Sequence, residues 1–131
     1  MYNQSMNKYI SNIENETLNN ENFRKVLFTG KNMQLVVMTL QPGEEIGIEV
    51  HHDIDQFFRV ETGVAKVIVD GEEEMIGPDF IAIIPAGAEH NVINSSAQEV
   101  LRLYTIYTPP EHKDGTIHKT KEEAMQDEHH H

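Results

Sequence analysis

Hydrophobic positions in this chain recur in short runs rather than in long stripes. Residues 34–40, 44–50, 56–61, 65–69, 80–84, 88–94 and 100–107 are each rich in Val, Ile, Leu, Phe, Tyr or Thr. Turn-forming residues separate them: Pro42-Gly43, Thr62-Gly63, Asp70-Gly71, Gly77-Pro78-Asp79, Pro85-Ala86-Gly87 and Asn94-Ser95-Ser96. β-Branched and aromatic side chains suit a pleated, half-buried surface, so each run predicts a strand. Asp70-Gly71 predicts a two-residue hairpin, because both central positions of that turn take positive φ. Short strands at this spacing predict an all-β antiparallel sandwich or barrel. No helical pattern of convincing length interrupts them, which argues against a doubly wound α/β fold.

The ends have a different texture. Residues 1–22 are polar and rich in Asn, with scattered apolar positions at Tyr2, Met6, Tyr9, Ile10, Ile13 and Leu18. They predict an arm that holds a short helix at 6–14 and cannot form a core alone. Pro109-Pro110 stops the last strand, residues 111–115 predict a loop, and residues 119–128 predict a frayed, charged helix. The organisation expected is an N-terminal arm (1–22), a β domain (23–108) and a C-terminal tail (109–131), both ends being flexible. A length of 131 residues fits that single domain.

Charge narrows the partners. Twenty-two acidic residues against ten basic ones leave a net charge of −12, which repels phosphate backbones and makes nucleic acid a poor partner. The longest apolar run, residues 80–84, is five residues, far short of the roughly 20 that a membrane-spanning helix needs. No basic, apolar leader opens the chain, so a cytoplasmic location is expected. There is no cysteine, which excludes disulfides, thiolate catalysis, cysteine zinc sites and iron–sulfur clusters.

Candidate chemistry therefore falls to the histidines: His51, His52, His90, His112, His118, His129, His130 and His131. The last three read as an end with no part in the fold, and His112 and His118 as surface residues of the tail. His51 and His90 differ. On a strand, Glu49 and His51 point to one face, because side chains alternate with period two. Gln56, Phe58 and Val60 share a face of the next strand, and the residues between suffice for a hairpin turn that sets Gln56 beside the Glu49/His51 pair. His90 opens a further strand after a Pro-x-Gly turn. Two imidazoles, a carboxylate and an amide oxygen converging inside a barrel suit a divalent transition metal.

These residues also fall into two motifs. The chain reads Gly43-x5-Glu49-x-His51-x4-Gln56-x6-Gly63, then Asp79-x5-Pro85-x-Gly87-x2-His90-x3-Asn94. Both resemble the paired motifs of the cupin superfamily, Gly-x5-His-x-His-x3 or 4-Glu-x6-Gly and Gly-x5-Pro-x-Gly-x2-His-x3-Asn. Every spacing fits. Glu49 stands at the first ligand position, Gln56 at the third, and Asp79 at the second motif's opening glycine. Taking His52 as the second histidine would put Val50 at the first ligand position, so His51 is the match and His52 should point away. The resemblance covers about residues 34–107 and is that of a small single-domain microbial cupin.

It implies a jelly-roll double-stranded β-barrel with the metal positions on Glu49, His51, Gln56 and His90. It implies one divalent transition metal ion per chain, nickel, zinc, iron, manganese or cobalt. The expected function is a metalloenzyme of isomerase, lyase or dioxygenase type acting on a small oxygenated metabolite, a carbohydrate or a hydroxy- or keto-acid. Glu49 is either a ligand or a catalytic base. The alternatives are a non-catalytic small-ligand-binding cupin and a structural dimer unit, and a homodimer is expected in any case. Phe57, Phe58, Leu101, Leu103 and Ile106 are read as core or dimer contacts, and Tyr104 and Tyr107 as packing. Arg59 and Arg102 are read as surface or ion-pair residues, and Glu72-Glu73-Glu74 as a solvated hairpin end.

Overall fold

Leu101, Leu103, Thr105 and Tyr107 are buried, and Arg102, Tyr104, Ile106 and Thr108 between them are half-buried. That alternation is the signature of a strand with one face on a core. The computed structural model describes residues 8–129. The elements run α1 (Ile13–Leu18), β1 (Arg24–Thr29), β2 (Gln34–Leu40), β3 (Glu49–Val50), β4 (Asp55–Thr62), β5 (Ala65–Val69), β6 (Glu72–Ile76), β7 (Ile81–Ile84), β8 (Glu89–Ile93), β9 (Leu101–Thr108), β10 (Ile117–His118) and α2 (Lys121–His129).

A six-stranded sheet has the order β10-β1-β2-β9-β4-β7, and a four-stranded sheet the order β3-β8-β5-β6, with antiparallel pairs throughout. Met38, Leu40, Phe58, Val60 and Leu103 from the first sheet meet Ala65, Val67, Ile76 and Val92 from the second in one core. The pattern of short strands predicts an all-β antiparallel sandwich or barrel, and the two facing sheets form the jelly-roll barrel that the resemblance implies. Asp70 (φ 48) and Gly71 (φ 84) form the expected hairpin turn between β5 and β6.

Several elements depart from the sequence reading. Strands β1, β6 and β10 are additional. Strand β6 is an edge whose Glu72, Glu73, Glu74 and Met75 are all exposed, so backbone pairing with β5 makes it a strand and its first three side chains carry no apolar signal. The run at 44–50 is mostly irregular. Glu45 makes an isolated bridge to Ile93, and Gly47 (φ 110) donates its N–H to Asn91 Oδ1 at 2.9 Å rather than to a ladder. Among the described residues of the arm, 8–12 are irregular and the helix starts at Ile13, so the expected helix at 6–14 is displaced toward the barrel. The Asn12 side chain caps it by accepting from Asn15 N, as Asn does at an N-cap.

The tail is also built into the barrel. Strand β10 pairs with β1, Ala124 of α2 is buried in the core cluster, and Lys121 Nζ donates to Ile46 O at 2.7 Å. Tyr2, Met6, His130 and His131 lie outside the described residues. Among the described residues no helix is long and apolar enough to cross a membrane.

Candidate metal centre

The register of β3 against β8 sets Glu49 directly opposite His90. Residues so paired on one face have Cβ atoms about 5 Å apart. His51 follows the end of β3, and Gln56 is the second residue of β4. The expected hairpin between them is not what joins them, because β3 and β4 belong to different sheets. Residues 51–54 cross from one sheet to the other. The 85–88 turn anchors that crossing: Gly87 N donates to His51 O at 2.9 Å, and Ala86 N donates to Asp55 Oδ1 at 2.8 Å. The four side chains therefore meet between the sheets.

Ligand atoms of Glu49, His51 and His90 all lie within 4.8 Å of one another. His51 Nε2 is 3.2 Å from Glu49 Oε1, His90 Nε2 is 3.9 Å from the same oxygen, and His90 Nε2 is 3.2 Å from Gln56 Oε1. Ligands about 2.1 Å from a metal stand about 3.0–3.4 Å apart at right or tetrahedral angles; the His51–Glu49 and His90–Gln56 separations fall in that range, while His90–Glu49 at 3.9 Å is wider and would have to close on an ion. Gln56 and His90 are buried.

Second contacts orient the cluster. His90 Nδ1 lies 3.2 Å from Ala88 O. A carbonyl only accepts, so Nδ1 carries the proton and a neutral ring leaves a bare lone pair on Nε2. Gln56 Nε2 donates to Thr105 Oγ1 at 3.0 Å, which turns Oε1 toward His90. His90 Nε2 thus faces two acceptors, Gln56 Oε1 and Glu49 Oε1. A cation between them, or a second proton on His90, satisfies the arrangement.

The electrostatics agree. Burial pushes the Glu49 carboxyl up, but the hydrogen bond to His51 and the charges of His51, Arg24 and His90 outweigh it and hold it below its ordinary value. The hydrogen bond to Glu49 raises His51; burial opposes, and the charges of Glu49 and Glu111 add to the rise. Glu111 Oε1 stands 3.8 Å from His51 Nδ1. Burial raises the Tyr107 phenol well above its ordinary value, so it stays protonated. Its hydroxyl bonds His112 Nε2 at 3.2 Å, and its ring meets His51 edge-on at 5.9 Å.

His52 is exposed, as its register requires. Arg59 pairs with Asp79 at 2.7 Å, and Arg102 with Glu21 at 3.1 Å, both as expected. His112 and His118 are not surface residues of a loose tail. Burial, reinforced by Arg24, drives His112 down to about 3, while His118 is buried between Arg24 (3.2 Å) and Asp127 (2.9 Å). Arg24, His118 and Glu111 give no sequence signal as site residues, because each reaches the site through pairings remote in the chain. Asp79 at the second motif's opening position has φ 72, a left-handed conformation that Asp tolerates better than most residues.

The Cupin domain family model matches residues 36–107, more than half of the chain. The chain is a cupin. YrkC of Bacillus subtilis is 40% identical over 123 residues, 89% of this cupin, which spans 66% of the length of YrkC. L612 of Acanthamoeba polyphaga mimivirus is 40% identical over 112 residues, 83% of this chain and 70% of L612. The crystal structure of BH2720 from Bacillus halodurans superposes on the cupin with a TM-score of 0.87, at 43% identity over 90% of this chain and 93% of that one.

Proposed function

We propose that this cupin holds one divalent transition metal ion through Glu49, His51, Gln56 and His90, and acts as a metalloenzyme on a small oxygenated metabolite. The observation that carries the reading is the convergence of His90 Nε2, Gln56 Oε1 and Glu49 Oε1, with His90 Nε2 3.2 Å from the amide oxygen and 3.9 Å from the carboxylate. Two nitrogens, a carboxylate and an amide oxygen suit zinc, nickel, iron, manganese or cobalt. Such a metal would polarise a substrate carbonyl or hydroxyl as a Lewis acid. Glu49 is held ionised below the ordinary carboxylate range, which favours it as a ligand over a base, since a weak base draws protons poorly near neutrality. A cavity of about 520 Å³ opens onto Glu49, large enough for a small organic molecule. The chemistry fits an isomerase, lyase or dioxygenase.

Metal content by plasma mass spectrometry tests this on protein purified without a nickel column and lacking His129, His130 and His131. About one equivalent of a single transition metal per chain is expected. A folded chain that holds none and takes up none on addition would leave a non-catalytic binding role.

We also propose that a second copy of the chain covers the exposed edge at β7. Phe80, Ile81 and Ile83 and, from β6, Met75 are exposed there and line one groove. Unpaired apolar edges are liabilities that a symmetric partner removes.

A further inference from the structure

Arg24 is 2% exposed and is among the largest fully buried side chains. Its guanidinium donates from Nη1 to His118 Nδ1 at 3.2 Å and lies 5.4 Å from the centre of the Phe23 ring. Its Nε has no hydrogen-bond partner. Among the described residues, Arg24 forms no salt bridge. Glu49 acts on Arg24 through space, but a buried cation with no carboxylate in direct contact is costly, since buried charges are as a rule paired.

Arg24 lines the same cavity of about 520 Å³ as Glu49 of the metal centre. The cavity's other carboxylates do not close on it. Glu111 stands by His51, and Asp127 bonds the far side of the His118 ring at 2.9 Å. That ring fixes the guanidinium. Arginine only donates, so His118 Nδ1 must accept, its proton sits on Nε2, and Nε2 donates to Asp127. Arg24 is thus held in place by a partner that does not neutralise it directly.

We infer that this cavity is an organic-acid site, in which Arg24 receives the carboxylate of a small acid whose second oxygen reaches the Glu49/His51/His90 cluster. The inference rests on the metal reading above and names its substrate class, an acid rather than a neutral sugar. A planar two-oxygen anion matches the guanidinium fork. Glu49, Glu111 and Asp127 outnumber Arg24 and Lys113 around the cavity, which favours a monoanion over a phosphate dianion.

The test uses the full chain loaded with cobalt(II), followed by calorimetry and by the visible spectrum of the metal. Glycolate, 3-hydroxypropionate and 4-hydroxybutyrate sample the spacing, each against its neutral amide, with inorganic phosphate as a further probe. At least one acid should bind about tenfold or more tightly than its amide and change the cobalt spectrum. Arg24→Gln should remove that preference and Arg24→Lys restore part of it. Should these variants fail to fold, the acid-against-amide comparison on the unaltered chain decides. Cobalt that loads while acids and amides bind alike overturns the inference and leaves the metal reading standing. Phosphate binding tighter than every acid overturns the carboxylate assignment. If cobalt does not load, Arg24-dependent acid binding by the metal-free chain upholds the anion site while the metal reading falls. No acid binding in that case overturns both.

Discussion

Glu49 and His90 face each other across the β3–β8 ladder, with His90 Nε2 3.9 Å from Glu49 Oε1. Gln56 enters from the opposite sheet, with its amide oxygen 3.2 Å from the same nitrogen. His90→Ala should therefore weaken metal binding more than tenfold, as loss of a ligand commonly does. Gln56→Glu should strengthen it, because it adds a charge where a neutral oxygen stands. Competition with a chelating dye, on chains lacking His129 to His131, measures both. Equal affinity in His90→Ala would remove His90 from the ligand set.

The Glu49–His51 pair predicts opposite pH trends for the metal-free and metal-loaded chains. His51 is raised above 6.5 in the fold, so its contribution is full below about 6.5 and is lost as pH rises through its folded value. Glu49 is lowered below 4.5, so its contribution is full above about 4.5 and is lost as pH falls through its folded value. The pair stabilises the metal-free chain most between those limits. A metal ion competes with the proton on His51, so the gain in Tm on metal addition should grow from pH 6 to pH 8. A gain independent of pH would sink the claim that the metal takes the place of that proton.

His112 acts in the other direction. Its value falls to about 3 in the fold, chiefly through burial, so the unfolded chain takes up a proton below its ordinary value of 6.5 and the folded chain does not. Stability is lost as pH falls from about 6.5 toward 3. His112→Asn should flatten that part of the curve, as urea denaturation at stepped pH would reveal.

Gly63 has φ +87, and a Cβ built there would lie 2.6 Å from Val100 O. Backbone cannot yield as a flexible side chain can. Gly63→Ala should cost about 1–3 kcal/mol, read from chemical denaturation, whereas Gly71→Ala, with open space around it, should cost less.

Ile83 is 63% exposed on β7. Light scattering should give twice the chain mass for the unaltered protein, and Ile83→Glu should return it to one chain mass with the fold intact. A monomeric starting protein would disprove the dimer.

The local pattern determined much of this protein. The strands at 34–40, 65–69 and 80–84, the Asp70-Gly71 hairpin and the metal-type residues at fixed spacing are properties of nearby residues. Alternation, positive-φ turns and motif spacing need no distant partner to be legible. Taken with the cupin resemblance, they also put His51 and His90, rather than His52, in the cluster with Glu49.

Tertiary structure decided the rest. Gln56 joins Glu49 by crossing between sheets, which strand periodicity cannot distinguish from a hairpin within one. Strand β6 is a strand because β5 supplies its hydrogen bonds, although its first four side chains are exposed. Arg24 and His118 are 94 residues apart in the chain and meet because β10 closes the sheet edge at β1. A buried, incompletely partnered arginine is a property of that pairing, and only the assembled barrel sets it beside the cluster that Glu49, His51 and His90 form.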